Sequence, residues 1–268
     1  MKISIITITY NSAETLESTI KSVIEQGYED LEYIIIDGIS TDGTLDIINK
    51  YRNSISYFVS EKDNGISDAF NKGIKAATGD IIGIINSDDM LYTDALKKVN
   101  SFFESNPDTE VLHANTLRFT DENGKGYVVK PDTDLDKMKY TFLLNHPSVF
   151  VRAEAYEKHG VFSVDYKYAM DYELLSKMYF NDVSFGYLDE ILSCFREGGV
   201  SIQCFEKTCI EHRRIAIRNG ASENEIDKYL KKIKMNLKIK EILKKLKLIQ
   251  PLRKILKKQE YLPVIIKP

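Results

Sequence analysis

At 268 residues, with 43% hydrophobic and 29% charged side chains, the chain can bury a substantial core and is neither disordered nor collagen-like in composition. Three irregularly spaced cysteines, Cys194, Cys204 and Cys209, exclude a disulfide framework and a cysteine-rich zinc site. The net charge of −3 hides an asymmetry: residues 221–268 carry a balance of +9 and the remainder −12, which argues against nucleic acid as a ligand of the body.

The β-branched run Ile3 to Thr9 predicts a strand buried on both faces. Met1-Lys2 ahead of it leaves no space for a signal peptide, and no stretch reaches the ~20 apolar residues that span a bilayer. The expected location is therefore cytoplasmic. Leu16, Ile20, Val23 and Ile24 give a helix over residues 12–26, stopped by Gly27. Residues 33–36 read as a second strand ending at Asp37-Gly38, 44–51 as a helix and 55–59 as a third strand. A helix over 67–77, closed by Gly79, leads to a fourth strand over 81–85, and Thr93 caps a helix to residue 103. The βαβαβαβ order predicts a mostly parallel, doubly wound α/β sheet.

Beyond Pro107 the pattern changes. Short strands over 111–113, 116–119 and 127–130, with Asn123-Gly124 as a hairpin turn, suggest an antiparallel portion. A helix over 169–180, strands near 183–187 and 191–196, and a helix over 201–219 ending at Gly220 complete the body. The expected organisation is a domain over 1–220, with a donor half to about 105 and an acceptor half from 106, followed by a tail over 221–268.

Ligands of a doubly wound sheet bind beyond the carboxyl ends of its strands. Here those ends are Thr9-Tyr10-Asn11, Asp37-Gly38, Glu61-Lys62-Asp63-Asn64-Gly65 and Asn86-Ser87-Asp88-Asp89. Any one of these loops is satisfied by Asp as a turn former or cap. Three that bring carboxylates to one rim repel unless a cation joins them, and such oxygen ligands suit Mg²⁺ or Mn²⁺. The dinucleotide fingerprint, the phosphate-cradling Gly-rich loop and the Gly-x-Ser-x-Gly elbow are absent, and His113, His146, His159 and His212 lack metal-motif spacing. What remains is a site that reads a base with a strand-end Asp and holds a diphosphate through a metal.

Residues Ile3 to Asn11, Asp37-Gly38-Ile39-Ser40-Thr41-Asp42-Gly43-Thr44 and Asn86-Ser87-Asp88-Asp89 together resemble the signature of family 2 inverting glycosyltransferases with the GT-A fold. The segment from Ser60 to Gly73, including Asp68, Asn71 and Lys72, is similar to a subgroup found in bacterial surface-polysaccharide clusters. The resemblance covers roughly residues 1–200 and implies a UDP-sugar donor. It implies that Thr9, Tyr10 and Asp37 meet the base, Asp88 the ribose, and Asp89 a Mn²⁺ or Mg²⁺ ion, with Asp88 beside it. Two departures stand out: Asn86 replaces an acid, and Phe70 replaces an Arg, leaving Lys72 or Arg196 to meet the diphosphate. Asp171, in Tyr168-Ala169-Met170-Asp171-Tyr172-Glu173, matches the family's catalytic base, although an Asp opening a helix is also a plain cap. His146 matches a position that meets the acceptor or its phosphates, and a structural His at a strand start fits equally well.

In the tail, Ile226, Leu230, Ile233 and Leu237, then Ile239 to Ile249, form apolar stripes among lysines before Pro251 interrupts. Such basic amphipathic helices bind an anionic membrane surface, pack on the body or pair with a second copy as a homodimer. With the resemblance, a glycan acceptor carried on a polyprenyl diphosphate at the inner face of the cytoplasmic membrane is expected. Two other functions compete: a catalytically silent sugar-nucleotide or lipid-surface binding module, and a nucleotidyltransferase. The latter needs a Gly-rich basic loop after the first strand, and Thr9-Tyr10-Asn11-Ser12 is not one.

Overall fold

The computed structural model describes residues 1–120, 124–198, 204–245 and 261–263. Strands β1 (Ile3–Thr9), β2 (Leu31–Asp37), β3 (Tyr57–Ser60) and β4 (Ile81–Ile84) pair in parallel in the order β3-β2-β1-β4. The period-2 alternation of a strand divides their side chains between two apolar layers. Ile3, Ile5, Tyr33 and Ile35 face helices α1 (Leu16–Ile24), α2 (Thr44–Lys50) and α4 (Ala95–Ser105). Ile6, Ile34, Ile36, Ile82 and Ile84 face α3 (Ile66–Ala76) and α6 (Met170–Tyr179). Helix α3 comes so close to β1 that a β-carbon on Gly73 would collide with Ile6.

Beyond β4 the sheet turns antiparallel through β8 (Val149–Arg152), β6 (Val111–Phe119) and β7 (Lys125–Val129). A two-residue strand, β5 (Met90–Leu91), pairs with β9 (Phe185–Arg196), which runs parallel to β6. Helix α5 (Ala153–His159) follows β8, and α7 (Phe205–Arg218) and α8 (Glu223–Lys245) close the described chain, except that β10 (Tyr261–Pro263) returns to pair with β7.

Several elements differ from expectation. The two strands expected over 111–119 are one, β6, and those expected over 183–196 are also one, β9. The register jumps from Ala114↔Leu188 to Asn115↔Ile191, so Asp189 and Glu190 bulge outward from a continuous strand. Their polarity imitates a break. Helix α4 starts at Ala95 rather than at a Thr93 cap, because Asp94 adopts a left-handed φ of 56° without capping the helix. A 3₁₀ turn over Arg52–Ser54 delays β3 to Tyr57. β5, β8 and α5 were not expected. Asn123 of the proposed hairpin, residues 201–203 of the helix expected from 201, and the second tail stripe with Pro251 fall outside the residues and side chains described.

Cys209, Ala216, Ala221, Ile226 and Leu230 form a small core between α7 and α8. Among the described residues no helix is long and apolar enough to cross a membrane.

Candidate active site

The carboxyl ends of β1, β2 and β3 finish level, with Thr9 paired to Asp37 and Asp37 to Ser60. Asp37 is fully buried. Its Oδ1 accepts from Ser40 Oγ at 2.5 Å, and its Oδ2 accepts from Ser40 N at 3.0 Å and Ser60 Oγ at 2.6 Å. Three of the roughly four lone-pair positions of the carboxylate are thereby taken. The clasp on Ser40 holds Ile39 at a φ of 63°, unfavourable for a β-branched residue, and strain of this kind collects at functional sites. Thr9 Oγ1 is buried without a partner among the described residues, and the neighbouring Tyr10 ring is 64% exposed. An orphaned buried hydroxyl next to an open aromatic ring suits a flat polar ligand.

A second carboxylate enters where Gly38 makes room. A β-carbon on residue 38 would stand 2.7 Å from Asp63 Oδ2 and 3.5 Å from the Tyr10 ring, so Asp63 lies over the Gly38 backbone beside Tyr10. Its Oδ1 accepts from Gly65 N at 2.9 Å, which leaves Oδ2 as the oxygen turned toward the rim. The sequence placed Asp63 on the rim without a role; its signal was a glycine in the strand-end acid pair.

After β4 the chain passes through Asn86-Ser87-Asp88-Asp89 under tight control. Ser12 and Ser87 share a hydroxyl hydrogen bond of 2.9 Å, and Thr19 Oγ1 donates to the Asp89 carbonyl at 2.7 Å. Asp89 Oδ1 accepts from the Arg196 backbone N–H and Oδ2 from Asn86 Nδ2, each at 3.1 Å. Asn86, which by the resemblance stands in place of an acid, therefore orients the acid beside it. Arg196 Nε donates to the Asp88 carbonyl at 3.3 Å, while the guanidinium rests over Phe119. Burial, joined by the charge of Asp88, drives the Asp89 carboxyl well above the usual carboxylate range, and burial also raises Asp88. A cation relieves that cost, and two hard oxygen donors suit Mg²⁺ or Mn²⁺. Among the described residues no third His, Cys, Asp or Glu completes a metal cage, so the remaining ligands would have to come from a bound diphosphate and water.

The other residues of the donor side are engaged with protein. Lys72 Nζ lies 2.9 Å from Glu61 and 3.8 Å from Asp68, and donates to the Lys62 carbonyl at 2.8 Å. Asp68 accepts from Asn64 N at 2.9 Å, and Asn71 exchanges two hydrogen bonds with the Phe162 backbone at 2.8 and 3.0 Å. Phe70 is buried against His146 and Phe162, with ring centroids 5.7 and 5.0 Å away. The structure thus brings Arg196, and not Lys72, to the Asp pair.

Asp171 stands half-buried in the first turn of α6, its Oδ1 accepting from Tyr172 N at 2.8 Å. It is close enough to His146 and His212 that its charge opposes the downward shift which burial imposes on both imidazoles. Because His146 also packs on Phe70 of α3, it joins the α3 side of the donor rim to Asp171. His212, on α7, packs at a tilt against Tyr172 with ring centroids 4.9 Å apart; the sequence singled it out only as lacking metal-motif spacing.

A parallel-sheet rim of acids thus stands on one side of His146 and a separate carboxylate, Asp171, on the other. The profile of glycosyl transferase family 2 matches residues 4–160, more than half of the chain. The chain belongs to glycosyl transferase family 2. This glycosyltransferase is 26% identical over 224 residues to a PGL/p-HBAD biosynthesis glycosyltransferase of Mycobacterium bovis, an alignment covering 81% of this chain and 86% of that one. It is 36% identical over 103 residues to the putative teichuronic acid biosynthesis glycosyltransferase TuaG of Bacillus subtilis, covering 37% of this chain and 41% of that protein. Its fold is similar to S. aureus TarS 1-349 in complex with UDP-GlcNAc, with a TM-score of 0.63 at 23% identity over 85% of this chain and 70% of the other. It is also similar to the mannosyltransferase PcManGT from Pyrobaculum calidifontis in complex with GDP-Man and Mn²⁺, with a TM-score of 0.64 at 20% identity over 82% and 65% of the respective chains.

Proposed function

We propose that this glycosyltransferase moves a sugar, with inversion, from a UDP-sugar to a hydroxyl of a glycan acceptor. The observation that carries this is the Asp88–Asp89 pair, Asp89 buried and Asp88 half-buried, oriented by Asn86 and Arg196 at the strand ends. Thr9, Tyr10 and Asp63 would form the base pocket: a stacking ring, an unpaired hydroxyl, and a carboxylate oxygen able to accept the uracil imide N–H. Asp37, with most of its lone pairs filled, would shape that pocket more than touch the base.

Mn²⁺ or Mg²⁺ held at Asp89 and Asp88 would neutralise the charge developing on the diphosphate. Arg196, beside Asp88, adds positive charge at the same end of the site. Asp171 takes the proton of the acceptor hydroxyl as its oxygen bonds to the anomeric carbon. The bond from that carbon to the diphosphate oxygen breaks on the opposite side, and its electron pair leaves with the diphosphate. Asp68, Asn71, Lys72 and His146 would support this site by fixing the loop after β3 and the contact between α3 and the acceptor side.

In this scheme residues 1–105 hold the donor, 106–220 the acceptor, and 221–268 a basic tail that meets an anionic membrane bearing a polyprenyl-diphosphate-linked acceptor. Exposed Lys231, Lys232, Lys234 and Met235 on α8 support such a surface. Binding to phosphatidylglycerol vesicles, released by high salt, is the expected behaviour; failure to bind at low salt would refute the membrane role.

The donor is tested by thermal shift against UDP-, GDP- and CDP-sugars with and without Mn²⁺. One or more UDP-sugars should raise the melting temperature only with metal, and the same sugar should release UDP in a metal-dependent reaction. Stabilisation confined to GDP- or CDP-sugars would overturn the base assignment, and none at all would overturn the donor.

A further inference from the structure

Helix α6, which carries Asp171, begins without a side-chain cap of its own. Its N-cap residue is Ala169, which has no polar side chain to satisfy the unpaired N–H groups at a helix start. The three residues that lead into it are held instead from another helix. Glu211, on α7, takes three consecutive backbone donors: Oε1 accepts from Lys167 N at 2.9 Å, and Oε2 accepts from Tyr168 N and Ala169 N, each at 2.8 Å. The last of these lies two residues before Asp171.

The rest of α7 reinforces the same contact. The His212 ring packs at a tilt against Tyr172, the residue after Asp171. At the end of α7, Arg218 grips Glu173 through its carboxylate and its carbonyl and reaches Ser176 Oγ at 3.2 Å. Fully buried Ile215 fills the space between these polar grips. Helices α6 and α7 both lie beyond residues 4–160, over which the family profile matches.

We propose that Glu211 is the positioning residue of the catalytic base: by clamping the backbone of residues 167–169 it sets the direction in which Asp171 presents its carboxylate to the acceptor hydroxyl. A charge-assisted clamp on three N–H groups is strong enough to fix a helix start, and a carboxylate displaced by about 1 Å loses on the order of 10²-fold in rate. This rests on Asp171 being the base.

The test uses the full chain, Mn²⁺, and the UDP-sugar from the donor panel that releases UDP fastest with water as acceptor. Glu211→Ala should lower kcat roughly 10- to 100-fold while leaving the UDP dissociation constant and the donor KM unchanged. Glu211→Gln keeps an acceptor oxygen and should recover most of that loss, which guards against an alanine variant that fails to fold. In an Asp171→Asn background Glu211→Ala should have no further effect on kcat. Unchanged kcat in Glu211→Ala, with Asp171→Asn inactive, would overturn the positioning role alone. Equal losses from Glu211→Ala in both backgrounds would also overturn it, since Glu211 would then act elsewhere. Wild-type turnover in Asp171→Asn would instead remove the base assignment on which the proposal depends.

Discussion

The acids of the donor rim and the acid of the acceptor side are held by opposite means. Asp37 ends a parallel strand and Asp88 and Asp89 follow one, and their partners (Ser40, Ser60, Asn86 and the Arg196 backbone at the end of β9) are strand ends and turns. Asp171 lies on a helix whose first turn is gripped from outside by α7, through Glu211 and Arg218. A rim built from the sheet is rigid by register. The helix that carries Asp171 depends instead on a side-chain grip from a second helix, as between Ala169 and Glu211. Damage at the rim should therefore remove donor and metal binding together, whereas damage on the acceptor side should spare binding and slow only the chemistry.

Asp89→Asn is expected to give the largest effect at the rim. Turnover should fall roughly 10²- to 10³-fold, the loss associated with removing one group that stabilises transition-state charge. Mn²⁺-dependent UDP binding, followed by calorimetry, should weaken with it; unweakened binding would break the distinction between the two regions.

A smaller change is expected at the base pocket. Asp63→Asn should weaken UDP by about 1.5–3 kcal/mol, the value of a hydrogen bond to a charged group, and narrow the preference for UDP over CDP because an amide can donate to cytosine. Equal affinities of wild type and variant for UDP would place the base elsewhere.

The smallest effect lies away from both sites and calibrates the rigidity of the sheet. Burial alone would raise the Glu32 carboxyl, but hydrogen bonds from Lys2, Ser4 and Thr78 outweigh it and bring the value down to about 2 from 4.5. A depressed folded-state value means that stability is present above 4.5 and lost as pH falls toward 2. Glu32→Gln should lower stability by about 1–3 kcal/mol at neutral pH, with the gap in melting temperature closing in acid. A gap that persists at low pH would attribute the loss to shape rather than charge.

How far the sequence was legible follows the same division. β1, β2 and β4 are apolar runs long enough to be read directly; register brings Thr9 level with Asp37, and Asp88 and Asp89 follow β4 in a loop pinned by Ser12, Thr19 and Arg196. The acceptor side resists such reading because its elements depend on partners distant in sequence. Asp189 and Glu190 interrupt β9 in polarity but not in backbone, since β6 absorbs them in a bulge. Asp171 was found through its family resemblance, whereas Glu211, seen only as part of a predicted helix, gives no local sign of reaching the start of α6. Asp63 escaped for a related reason: its role depends on the space left by Gly38, and a missing side chain acquires meaning only once its neighbour is located.

The most direct test of the account is UDP release by Asp171→Asn, measured with saturating UDP-sugar and Mn²⁺ after calorimetry has established UDP affinity. Turnover reduced by roughly 10²- to 10⁴-fold with unchanged UDP affinity is the predicted result, the range expected for loss of a general base. Turnover at the wild-type rate, or a loss of UDP affinity as large as that of Asp89→Asn, would contradict it.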